Sequence, residues 1–313
     1  MRRALLLALA LAVLAAGAAL GAGGERGDGV VVTRAVPDDD VAHPGSRTEW
    51  WYVHAMDPAT GRTIVVTLFS APLALASGFL YTPEAMVDWA GPTSARVHEG
   101  PGVTTAAGSV RWDPARGAWL VEQDAEGYRV RLTLTDVVPG LTAGELEFGD
   151  EAMSWTVQAA TARADGEIVT PDGERIAVDG WRGYHDHNWG RFELESDQYE
   201  GWEWAVAHEP GGRSALLGGI VGLDGRFRGV LARFGPDGAR WCRPAVELSS
   251  WTVTDGFRYP STVDAGCDGD AVRFTVTRPY VAHLTSHALT ESVARTAAPG
   301  SIGLVEHLAR AGG

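Results

Sequence analysis

Lysine is absent from the chain, and all 26 basic side chains are arginine. We attribute this to GC-rich coding and attach no mechanism to it. Against them stand 40 acidic side chains, for a formal charge of −14, which argues against nucleic acid and anionic membrane surfaces as partners. Long apolar runs are also scarce, and beyond Ala22 no segment suits a membrane-spanning helix. No GxSxG elbow, Walker loop, dinucleotide glycine fingerprint or HExxH pair occurs. The usual hydrolase, nucleotide and zinc-protease readings therefore lose their main support. Cysteine is limited to Cys242 and Cys267.

What is present begins with MRRALLLALALAVLAAGAALGAGG, where Arg2 and Arg3 precede a small, apolar run from Ala4 to Ala22. That layout predicts a secretory signal peptide over residues 1–24, with Ala16 and Ala18, or Ala22 and Gly24, before a cleavage point. An uncleaved anchor is the alternative and would be the chain's only link to a membrane. No cysteine lies nearby for lipidation, and Arg2-Arg3 lacks the rest of a twin-arginine signal, so export to the periplasm or beyond by the general route is expected. Losing the segment takes the charge to about −16 and leaves roughly 290 residues, enough for two domains. In an oxidising compartment Cys242 and Cys267 can form a disulfide contributing roughly 3 kcal/mol. Two unpaired buried thiols are the other reading, and neither makes them catalytic.

Short alternating runs recur throughout. In YRVRLTLTD, Tyr128, Val130, Leu132 and Leu134 share one face and Arg129, Arg131, Thr133 and Thr135 the other. AVRFTVT repeats the pattern with Val272, Phe274 and Val276. Turn signals such as Asp57-Pro58, Asp113-Pro114, Pro171-Asp172-Gly173 and Asp224-Gly225 separate such runs. The prediction is all-β, antiparallel hairpins with little helix, the C-terminal GLVEHLARAGG alone reading as a short helix.

WWYVHAMDPATGR from Trp50 and WEWAVAHEPGGR from Trp202 superimpose, placing Trp50 on Trp202, Tyr52 on Trp204, Ala55 on Ala207 and Asp57 on Glu209. A shared order of aromatic strand, acidic-proline turn and Gly-Arg exit points to one β unit present twice, hence two barrel-like sheets. We assign residues 30–178 to the first barrel and 179–313 to the second. Strand alternation puts Trp50, Tyr52 and His54 on one face and Trp202, Trp204 and Val206 on its counterpart, and this aromatic face is expected to be interior. His54 then closes an aromatic row, either as a polar group in an apolar pocket or as a histidine satisfied by a backbone carbonyl. The twelve tryptophans either fill the barrels or line a cavity for an apolar ligand.

HPGSRTEWWYV at residues 43–53, followed at long range by GYHDHNWG at 183–190 and GWEWAV from Gly201, resembles the AttH and carotenoid 1,2-hydratase (hydroxyneurosporene synthase) superfamily. The resemblance runs from about His43 to the C-terminal region. It implies two lipocalin-like β-barrel domains and an acid-initiated hydratase- or cyclase-type reaction on a lipophilic substrate. From the residues themselves we expect no cofactor and no resident metal. The chain departs from the family at Ala55, where glycine is common, in TLFSAP at residues 67–72, and at His185 and His187. These departures bear on the carotenoid substrate more than on the fold.

Adding water to an isolated alkene, or cyclising one, needs a proton donor aimed at carbon and surroundings that tolerate a carbocation. A buried carboxylic acid, or a histidine charged by a nearby carboxylate, meets the first need. Aromatic faces meet the second, at roughly 1–2 kcal/mol per dry ring. The candidate donors are Asp186 with His185 or His187, and Tyr184 beside them. Trp50, Tyr52, His54, Trp189, Trp202 and Trp204 are the candidate substrate walls. In a regular strand Tyr184, Asp186 and Asn188 face one side, and His185, His187 and Trp189 the other. Inward histidines would instead form an H-x-H pair needing a third ligand such as His54, His208 or Glu203. Gly183 and Gly190 leave room for a bulge that would void both face rules. The alternative is that Asp186 and Asn188 only cap local backbone in a tight corner, with Trp189 plugging a barrel end. His43, His98, His283, His287 and His307 carry no partner pattern. A non-catalytic carrier of lipids or pigments, and an envelope structural protein with filled barrels, are the rival functions.

Overall fold

The computed structural model describes residues 31–82, 85–96, 100–194, 196–209, 213–235, 238–254, 257–267, 270–276, 281–283, 303–305 and 307–308. The expected signal segment, His98 and His287 lie outside them. The described chain is almost entirely antiparallel β, with one 3-10 turn at Pro37–Asp40.

A thirteen-stranded sheet forms the first half. At its centre the Thr48–Met56 strand pairs with Arg175–Arg191, which pairs in turn with the nineteen-residue strand Glu151–Val169. Hairpins extend it to Met86–Pro92 on one side and to Ala95–Arg96 on the other. Among the described residues no backbone pairing joins these two ends, but side chains span the gap. Trp89 Nε1 donates to Gln123 Oε1 at 2.8 Å, and the Trp89 ring stacks on Tyr128 at 4.0 Å.

Nearly every residue of Thr48–Met56 is buried because both faces of the strand are covered. Trp51, Val53 and Ala55 point into the hollow of the curved sheet with Ile64, Leu68, Trp119 and Leu134. Trp50 and Tyr52 point outward, into a second core shared with Val206, Leu216 and Ile220 of a five-stranded sheet. The aromatic row is therefore interior to the protein but not to a barrel, and alternation alone could not separate those cases. The duplicated strands face each other across this second core. Trp50 lies 6.0 Å from Trp202 and Tyr52 lies 5.5 Å from Trp204, between ring centroids.

The five-stranded sheet contains Tyr199–Glu209, Arg213–Gly222, Phe227–Gly235 and Gly238–Cys242. Its far side packs on a three-stranded sheet over Leu217, Leu231, Val263 and Phe274, and the Cys242–Cys267 disulfide links the two. The change of sheet falls after Arg191, since one strand runs unbroken through position 178/179. The short helix expected near the C-terminus is not found in the described residues there. Gly303–Val305 and His307–Leu308 are strands, the latter pairing in parallel with Ala205 and Val206, because backbone groups at that sheet edge gain partners.

Candidate functional site

GYHDHNWG lies within the Arg175–Arg191 strand. Its pairing with Thr48–Met56 runs without a register shift from Arg182↔Met56 to Gly190↔Thr48. The face rule therefore holds, and the flanking glycines serve close approach instead of a bulge on this side. A Cβ at Gly183 would sit 2.8 Å from Leu134 Cδ2, and one at Gly190 would sit 2.2 Å from the Ala152 carbonyl oxygen.

On the face turned to the five-stranded sheet, Asp186 is 3% exposed and held by three neutral donors. Tyr184 Oη donates to its Oδ2 at 2.7 Å, Trp155 Nε1 to the same oxygen at 3.1 Å, and Asn188 Nδ2 to Oδ1 at 3.2 Å. Trp204 Nε1 donates to the Tyr184 hydroxyl at 3.1 Å, fixing its orientation. Burial pushes the Asp186 carboxyl up to about 6, although these hydrogen bonds oppose the shift. Burial also holds the Tyr184 phenol well above its usual range. Behind Tyr184, the His54 ring stacks on it at 5.1 Å, and His54 Nε2 meets His208 Nε2 at 3.3 Å. Burial holds His54 well below the usual histidine range and takes His208 down to about 4.

Asp186 borders a cleft between the two sheets, open to solvent, with about 750 Å³ of empty space including its mouth. Trp50, Tyr52, Trp155, Trp202 and Trp204 form much of its wall. Glu203 also borders it, and burial raises that carboxyl to about 7.

On the opposite face, turned into the large sheet, lies a polar cluster. His185 Nε2 is 3.2 Å from Asp40 Oδ2, and its Nδ1 donates to the Tyr52 carbonyl at 2.9 Å. His187 Nε2 is 3.2 Å from Glu49 Oε1 and its Nδ1 is 3.6 Å from Asp40 Oδ1. The His43 amide donates to Glu49 Oε1 at 2.7 Å, and the Ser70 hydroxyl donates to Oε2. Burial alone would raise Glu49, but the hydrogen bonds from His187, His43 and Ser70 together bring it down to about 2.

The structure thus gathers Asp186, Trp50, Tyr52, Trp202 and Trp204 at one cleft, with Tyr184 hydrogen-bonded to Asp186 behind its wall and His54 one ring further back. It places His185, His187 and Trp189 on the other side of the strand, where neither histidine can pass a proton to Asp186 directly. Nor do His185 and His187 form a paired H-x-H ligand set, because both ring nitrogens of His185 are taken by the Tyr52 carbonyl and Asp40 while His187 Nε2 turns to Glu49. Trp189 stacks on His43 at 4.0 Å. Sequence reasoning missed Trp155, Asp40 and Glu49 and ranked His43 low. Trp155 sits across from Asn188 by register with Glu151–Val169, which no local pattern encodes. Asp40 and Glu49 had one available signal, being carboxylates just before and within the HPGSRTEWWYV stretch.

No protein-family model and no curated protein matches the chain. Among solved structures it is similar to the 2.00 Å crystal structure of NE1406 of Nitrosomonas europaea, provisionally assigned as an AttH. The TM-score is 0.59 at 18% identity, over 78% of this chain and 84% of that one. The fold is AttH-like. At that identity the likeness carries the architecture and no finer property.

Proposed function

We propose that the protein is exported and binds a lipophilic small molecule, a terpenoid, polyene or lipid, in the cleft between its sheets. There Asp186 starts an acid-initiated hydration or cyclisation. The observation that supports this most is a carboxyl raised to about 6 at the edge of an aromatic cleft. Protonated, Asp186 transfers its hydrogen to one carbon of an alkene, leaving an aspartate and a carbocation on the neighbouring carbon. The faces of Trp50, Trp202 and Trp204 stabilise that charge by roughly 1–2 kcal/mol per ring. Water then adds and gives up a proton, or a second alkene of the same substrate attacks and a proton is lost. Glu203, with its raised carboxyl on the same cleft, is our candidate to receive it. The disulfide and the N-terminal apolar run support export.

The test is incubation of wild type and Asp186→Asn with candidate terpenoids, beside native mass spectrometry of the purified protein. Product from wild type alone supports the reading, and unchanged turnover by the variant removes Asp186 as the acid. A co-purified, chemically unaltered lipid with no product from either protein identifies a carrier instead.

A further inference from the structure

The polar cluster on the inner face of the strand takes no part in the cleft. Its geometry is unusual in one respect: both nitrogens of His187 meet carboxylates, Nε2 to Glu49 Oε1 at 3.2 Å and Nδ1 to Asp40 Oδ1 at 3.6 Å. A neutral imidazole carries one proton, so one of these contacts sets a lone pair against a carboxylate oxygen. His43 adds to the demand. Its Nδ1 is buried without a hydrogen-bond partner, 3.4 Å from the same Glu49 Oε1. Two imidazole nitrogens thus converge on one carboxylate oxygen that already accepts the His43 amide.

We propose that His43, Glu49 and His187 bind one divalent transition-metal ion of the zinc class, with Asp40 orienting His187 from behind. Two histidines and a glutamate are a ligand set for zinc, which sits about 2.0–2.1 Å from nitrogen and about 2.0–2.2 Å from carboxylate oxygen in tetrahedral sites. Neighbouring corners of such a tetrahedron lie about 3.3 Å apart. The two imidazole-to-carboxylate separations, 3.2 and 3.4 Å, match that edge, and all three ligand atoms lie within 4.8 Å of one another. Only the His43–His187 edge has to shorten.

The surroundings hold the rings ready. Trp51 stacks on His187 at 4.1 Å and Trp189 on His43 at 4.0 Å, with interplanar angles of 14° and 1°. With Nδ1–H turned to Asp40, His187 presents its Nε2 lone pair toward Glu49, the carboxylate–histidine–metal arrangement of zinc sites. Asp40 is itself anchored through Oδ2 on His185. The His43 side chain is 31% exposed, which gives an ion a way in and leaves a fourth position for water. The ion would tie the entry segment carrying Asp40 and His43 to the two central strands.

The experiment uses the full-length, tag-free protein dialysed against chelator and then titrated with cobalt(II) and, separately, zinc(II). We expect one cobalt per chain, with the intense visible bands of a tetrahedral site, and displacement of those bands by zinc. His43→Ala, a change at a half-exposed side chain, should weaken zinc binding by more than the roughly 10–100-fold that losing an outer-sphere partner costs. Asp40→Asn should fall within that lesser range. A cobalt spectrum that stays that of the aqueous ion overturns the proposal. Unchanged binding in His43→Ala overturns it equally. The outcome is independent of the cleft, because the readout is the metal and no product is measured.

Discussion

Asp186→Asn should make the protein more stable at neutral and alkaline pH while abolishing the proposed reaction. Burial raises the Asp186 carboxyl to about 6 in the fold, against 3.8 for a free aspartate side chain. Between those values the folded chain keeps a proton that the unfolded chain has released. Stability contributed by this group is therefore fully present below the unfolded pKa and is lost as pH rises through the folded one. A gap of about two units, at about 1.36 kcal/mol each, amounts to about 3 kcal/mol. Asparagine has nearly the same shape and does not titrate. Its carbonyl oxygen can accept from Tyr184 and Trp155 in place of Oδ2, and Asn188 can turn its own amide to meet the new NH2 group.

The assay is urea unfolding of both proteins, followed by tryptophan fluorescence, at pH 4 and pH 8. The two proteins should be nearly equal at pH 4, and the variant should lead by about 3 kcal/mol at pH 8. A difference that does not change with pH, or a wild type that gains on the variant as pH rises, would refute the claim that burial keeps this carboxyl protonated.

Four further outcomes follow from the same contacts. Gly218→Ala would set a Cβ 2.3 Å from Trp155 Cη2; we expect a loss of about 1–3 kcal/mol in thermal denaturation and a shifted Trp155 that weakens apolar-ligand binding. Trp51→Ala, in the packed hollow of the large sheet, should lower stability by about 3–5 kcal/mol, whereas Trp50→Ala next door should chiefly weaken titrated binding of an apolar dye in the cleft. Trp204→Phe removes the indole donor to the Tyr184 hydroxyl and should cost about 1 kcal/mol by urea unfolding. Cys242→Ser with Cys267→Ser should lower the melting transition by about 3 kcal/mol of stability, matching what a reductant does to the wild type.

How much of this was legible in the sequence depended on whether the information was local. The faces of residues 184–189 followed from alternation alone, and they hold because the pairing with Thr48–Met56 has no shift. The shared aromatic spacing of Trp50, Tyr52, Trp202 and Trp204 was also legible, and it brings the two strands ring to ring. What those aromatics face was not. A strand buried on both sides shows apolar residues on both, so EWWYVHA does not say which side is the hollow of the large sheet and which the seam between sheets. The strand that crosses position 178/179 is seventeen residues long, and turn chemistry in PDG at 171–173 marks its start without marking its end. Trp155 and Asp40 reach the site by register and by the entry turn, and both are long-range facts.

The two sides of the central strand are chemically interdependent even though they share no contact. Had His185 or His187 turned toward the cleft, an imidazolium beside Asp186 would have favoured its ionised form and pulled its pKa down. Alternation keeps both histidines on the inner face beside Asp40 and Glu49, so the hydrogen-bond partners of Asp186 are all neutral: a phenol, an indole and an amide. Neutral donors stabilise a carboxylate less than a full charge does, and burial then prevails. Across the strand, the Asp40 charge adds to the rise at Asp186 and His185 opposes it, both less than burial does. Removing the Asp40 charge should therefore register at Asp186. In Asp40→Asn, His185 loses its carboxylate partner and the negative charge that helps raise Asp186 is removed. The stability difference between this variant with and without Asp186→Asn, measured at pH 8, should fall below the difference seen in the wild-type background. An undiminished difference would mean that burial acts alone.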